Sequence, residues 1–230
     1  VMRYIQDLLE YYGGAEEHDG INNLTVDWST SEAVTQAFAK LKEWSDKGYF
    51  NEGFLTEDPN DCRMYLYNGT CAMIIDSPTM ASQIVNAGQD TSLYSYFAFP
   101  TESNEDGTGR MAAYVKMTQV NKNVTDAELD AIIKFWDFYY NPDENPEYSN
   151  IEQPTAIKGA ELPESLSMAE GVMELMDACG IYTQMDQALP AQVADQLYAA
   201  QDGVVIGDMQ PEEAGASVQT AIDTYLAENQ

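Results

Sequence analysis

Apolar residues recur along most of this chain at the spacing of a helix face. Residues 2–12 (MRYIQDLLEYY) carry such a stripe, and Gly13-Gly14 predicts its end, with residues 15–28 read as loop. Val34, Ala37, Phe38, Leu41 and Trp44 form the next stripe, on a helix that reaches about Lys47 with Gly48 just past its end. Ser29 and Glu32 read as its capping box. Asp58-Pro59 opens a third helix, which ends at Gly69. The run Cys71–Ile75 is short and apolar, as in a buried strand. Pro78 starts another helix, ended by Gly88, and Tyr94–Phe99 reads as a second strand that stops at Pro100.

Residues 101–110 (TESNEDGTGR) are a polar loop, and Met111–Val120 alternates as a third strand. Thr125 with Glu128 makes a capping box before an aromatic-rich helix over 126–140, on whose apolar face Trp136 is expected to pack into a core, as Trp44 is on its own helix. Trp28, in a loop just before a cap, reads as structural, with a surface or binding role as the alternative. Three prolines between 142 and 162 mark an irregular connection. Ser167 with Glu170 caps a helix to about Cys179, Pro190 opens one to about Ile206, and Pro211 opens the last, to about Ala227. About seven helices against three or four short strands predict a helix-rich α/β fold.

Charge narrows the function classes. Ten basic residues against 39 acidic give a net charge of −29. Such a field repels phosphate backbones and anionic lipid headgroups, which argues against nucleic-acid binding. A hydrophobic content of 44% provides for a proper core. Cys62, Cys71 and Cys179 match no metal spacing, and the single histidine, His18, does not complete a zinc set, so no metal or cofactor is expected. A Cys62–Cys71 disulfide is conceivable beside three free thiols. No apolar run approaches the ~20 residues of a membrane span. No signal peptide is seen, and the helical pattern at Val1 reads as a piece of something longer. Acidic pairs are too numerous to single out a hydrolase dyad, and Asp58–Asp61 and Asn104–Gly109 lack EF-hand spacing.

The stretch Tyr65–Pro78 (YLYNGTCAMIIDSP) is helix, glycine stop, apolar run, then a tight turn into the next helix. Such a turn presents backbone amides at a strand end, where α/β proteins commonly bind ligands. It resembles a pattern of the bacterial extracellular solute-binding proteins of family 1, the maltose-binding-protein-like sugar receptors of ABC transporters. Leu41–Phe50 (LKEWSDKGYF), Phe99-Pro100, the helix from Asp130 to Pro142, Gln153–Lys158 (QPTAIK) and Gly207–Ala214 (GDMQPEEA) resemble further segments of that family, in its order and at its spacings. Two positions depart from the pattern: Thr79 stands where the family has a sugar-stacking tryptophan, and Ser77 where it has the turn glycine.

The resemblance implies a periplasmic-binding-protein-like fold of type II, represented mainly by its C-terminal lobe. Residues 1–106 and 160–230 would belong to that lobe. Residues 107–159 would cross to the N-terminal lobe and, lacking its main sheet, expose apolar surface, pack on a neighbouring chain or rearrange. It further implies an extracytoplasmic lipoprotein or periplasmic receptor, not an enzyme, that closes on a sugar or oligosaccharide and delivers it to an ABC permease. Its membrane contact would run through an N-terminal anchor outside this sequence. The turn from Asp76 would line the hollow between the lobes. The ligand-binding candidates are Ser77, Thr79 and Met80 in the turn, Arg110 and Tyr114 flanking the third strand, and Tyr182 with Asp186 between two late helices. The competing expectations are a secreted carbohydrate-active enzyme, and an accessory carbohydrate-binding or interaction module.

Overall fold

The structure is a computed structural model of the 230-residue chain. It describes residues 2–51, 53–100, 109–113, 118–141, 143 and 164–229. Nine α-helices and two strands appear among them: α1 (Met2–Asn22), α2 (Glu32–Asp46), α3 (Pro59–Tyr67), α4 (Met80–Asn86), β1 (Met111–Ala113), α5 (Asp126–Tyr139), α6 (Met168–Cys179), β2 (Ile181–Thr183), α7 (Met185–Ala188), α8 (Ala191–Ile206) and α9 (Pro211–Glu228). Contacts divide the chain into two compact units. Val1–Ile75, Ala98–Tyr114 and Ala178–Gln230 form the first; Asp76–Phe97 and Val115–Asp177 form the second. No helix among the described residues is long and apolar enough to cross a membrane.

The first unit holds the main core. In α2, Ala33, Val34, Ala37, Phe38 and Leu41 are all buried, the stripe read from their spacing. That face packs against α1, α8 and α9. Ile5 and Leu9 of α1, Leu197 and Val204 of α8, and Val218 and Ile222 of α9 complete the core, together with Trp28 from the α1–α2 loop, which is 0% exposed. Trp44 is only half-buried and meets the Tyr4 ring edge-on at 5.9 Å. Packing is tight at Gly215 of α9: a Cβ there would lie 2.4 Å from the carbonyl oxygen of Trp28.

Several expectations change. The chain does not leave the helix for good at Gly13-Gly14. Gly14 adopts φ 67° and ψ −177°, a left-handed geometry suited to glycine, and the helix then resumes to Asn22. Burial of His18 and Ile21 anchors the second segment, so tertiary packing overrides the local stop. The N-cap of α2 is Ser31, not Ser29: the Ser31 hydroxyl accepts from the Val34 N–H, whereas the Ser29 backbone N–H and hydroxyl both donate to Asp27. The capping box of Thr125 and Glu128 is present at α5, and Asp58 caps α3.

Neither Cys71–Ile75 nor Tyr94–Phe99 is a strand, and the side chain of Met73 is largely exposed. An apolar run becomes a strand only when a neighbouring backbone completes its ladder. Among the described residues the sheet consists of β1 and β2 alone, parallel, with Ala112 opposite Tyr182. The third predicted strand is realised at Met111–Ala113; residues 118–120 are not strand, and 114–117 lie outside the described residues. The irregular connection read at 142–162 lies almost wholly outside them as well. All three cysteines are free.

In the second unit Ala81 of α4 packs with Leu166 and Ala169. Helix α5 buries no residue, and Leu129, Ile133, Phe135 and Phe138 are exposed along it. Trp136 is therefore not a core residue. It is half-buried in a ladder of rings, stacked on Tyr140 at 5.1 Å and edge-on to Phe135. An apolar stripe is buried only where a second element covers it.

The Gly215 contact yields a direct test. Gly215→Ala drives a methyl group into the Trp28 carbonyl, and a loss of about 1–3 kcal/mol is expected in urea unfolding. Gly171→Ala in α6, where a Cβ meets nothing within 4 Å, should be neutral or stabilising by up to about 1 kcal/mol. Equal effects of the two substitutions would contradict the packing.

Candidate functional site

The polar centre of the first unit is built by α1, β1 and β2. Gly180, at φ 79°, ends α6 and turns the chain into β2 beside the Arg110 side chain, just ahead of β1. The Met111 N–H donates to the Gly180 carbonyl, and the Gln184 N–H to that of Ala113, which sets the register of the two strands. Register places Tyr182 inward, where it is 3% exposed. Its hydroxyl donates to Asp7 at 2.6 Å. The Arg110 guanidinium lies 5.7 Å from the centre of the Tyr182 ring.

Arg110 forks onto Glu10, with Nε to Oε1 at 2.7 Å and Nη2 to Oε2 at 2.8 Å. It also reaches Asp19 at 3.0 Å and the Ala15 carbonyl at 3.2 Å. His18, fully buried, places Nδ1 2.7 Å from the second Glu10 oxygen and its ring against Tyr182 at 4.5 Å. Burial works to raise the pKa of Glu10, but the hydrogen bonds and charges of Arg110 and His18 outweigh it and lower it from 4.5 to about 2. The Tyr182 phenol moves upward, through burial first and then through the Asp7 carboxylate it faces. The Arg110 guanidinium is held charged, chiefly by its hydrogen bond to Glu10.

Of the seven candidate ligand residues, Arg110, Tyr182 and Asp186 belong to the first unit and Ser77, Thr79 and Met80 to the second; Tyr114 lies outside the described residues. The polar groups of Arg110 and Tyr182 are engaged within the protein. Asp186, in the first turn of α7, is half-buried and keeps one carboxylate oxygen buried without a partner. Its charge, after burial, helps raise the pKa of Tyr198 in α8. In the turn, the Ser77 and Thr79 hydroxyls lie 2.6 Å apart. Each carries one hydrogen, so a single bond between them leaves one O–H and several lone pairs for another partner. The Ser77 N–H donates to Asp76, and the Tyr96 hydroxyl to the Pro78 carbonyl. Met80 is 4% exposed and packs inward at the start of α4.

Sequence reasoning missed β2, the Glu10–His18 pair and Asp7. Ile181-Tyr182-Thr183 directly after Gly180 is a strand signal, though three residues are too few to rank above the flanking helices. The partners of Arg110 lie about ninety to a hundred positions away in the chain and leave no local signal. Among the described residues no three His, Cys, Asp or Glu side chains group to hold a metal ion.

No family model and no curated protein matches the sequence. Among solved structures, a chain named "Chitin oligosaccharide binding protein" superposes with a TM-score of 0.78 at 19% sequence identity. The fold is shared. The likeness covers 97% of this chain and 56% of that one, so the chain spans little more than half of that neighbour's length. At this identity the likeness shows the helix-rich α/β fold alone.

The Glu10 cluster generates a pH dependence. Its folded-state pKa lies below the unfolded value, so its stabilisation is full above about pH 4.5 and is lost as pH falls toward 2. That group alone is worth on the order of 3 kcal/mol. Urea unfolding compared at about pH 5 and pH 3 should therefore show a flatter pH dependence for Glu10→Gln than for the wild type. Parallel pH profiles would place the pairing in error.

Proposed function

We propose that this chain is most of the C-terminal lobe of an extracytoplasmic carbohydrate receptor, the solute-binding component of an ABC importer with a type II periplasmic-binding-protein fold. The observation that carries the reading is the superposition over 97% of the chain on a protein named for binding chitin oligosaccharides. The ordered motifs from Leu41–Phe50 to Gly207–Ala214 support it independently. Residues 1–106 and 160–230 are assigned to this lobe and 107–159 to a crossing into the N-terminal lobe. The exposed Leu129, Ile133, Phe135 and Phe138 of α5 support that crossing, because such a face is what a second lobe would bury.

In this reading the full receptor holds a sugar or oligosaccharide between its lobes, and contacts from both sides favour the closed state that the permease engages. The Ser77–Thr79 hydroxyl pair takes the place of an aromatic platform. Its spare O–H and lone pairs suit sugar hydroxyls, which both donate and accept. The role is binding, not catalysis.

A thermal-shift screen of mono- and oligosaccharides, chitin oligosaccharides included, on the two-lobed protein tests this. A bound sugar at a hundred times its Kd adds about 2.7 kcal/mol, a rise of several degrees in Tm. The sugar should be recovered unchanged, and Ser77→Ala with Thr79→Val should weaken binding roughly tenfold, the equivalent of about one hydrogen bond. No response to any sugar overturns the reading; cleavage of the sugar replaces it with an enzyme.

A further inference from the structure

We draw no further inference here: the strongest candidate, the exposed apolar side of α5 in the second unit with Leu129, Ile133, Phe135 and Phe138, already belongs to the proposed crossing between lobes, and nothing in the structure shows what covers it.

Discussion

The first unit depends on one buried carboxylate. Glu10 is 3% exposed, and a carboxylate taken out of water costs several kcal/mol unless it is paired and fully hydrogen-bonded. Arg110 supplies two parallel bonds and His18 a third contact. The geometry does more than neutralise a charge. Arg110 binds Glu10 before the break at Gly14, and Ala15 and Asp19 after it. One guanidinium therefore holds both segments of α1 at a fixed angle and ties them to β1. Tyr182, under the same guanidinium and bonded to Asp7, brings β2 to the same centre. A two-stranded sheet of three-residue strands is too small to stand alone. Here it is held by side chains at least as much as by its ladder.

Around that centre, the parts of the fold that were legible in the sequence are those governed by local periodicity. The buried face of α2, the Asp58 cap, the capping box at Thr125 and the left-handed Gly207 after α8 all follow from residues within one or two turns of one another. Where a distant partner decides, the reading fails. Gly13-Gly14 carries the local signature of a stop, yet His18 and Ile21 gain enough by burial to restart the helix. Cys71–Ile75 has the composition of a buried strand without a paired neighbour in the described sheet. Trp136 has the spacing of a core residue on a helix that buries none of its residues.

The candidate site was legible in the same uneven way. The turn at Ser77–Thr79 was visible because the Tyr65–Pro78 stretch has a recognisable order, and the structure adds that the two hydroxyls meet. Arg110 and Tyr182 were singled out separately, and they are neighbours. Their contacts are to the protein's own acids, so their first role is architectural: they hold the two strands to α1. In a chain with 39 acidic residues, composition could not distinguish Asp7, Glu10 and Asp19 from a solvated surface. Only the fold picks out these three, which face Arg110 or Tyr182.

The central claim is that the Glu10–Arg110 pair organises the first unit, and a double-mutant cycle tests it most directly. Arg110→Met and Glu10→Gln, singly and together, are compared in urea unfolding at neutral pH. The account predicts that either single change costs about 3–5 kcal/mol and that the double variant falls short of their sum by more than about 1.5 kcal/mol. Additivity to within about 0.5 kcal/mol would mean that the two side chains do not act on each other, and the organising role would pass to the apolar core alone.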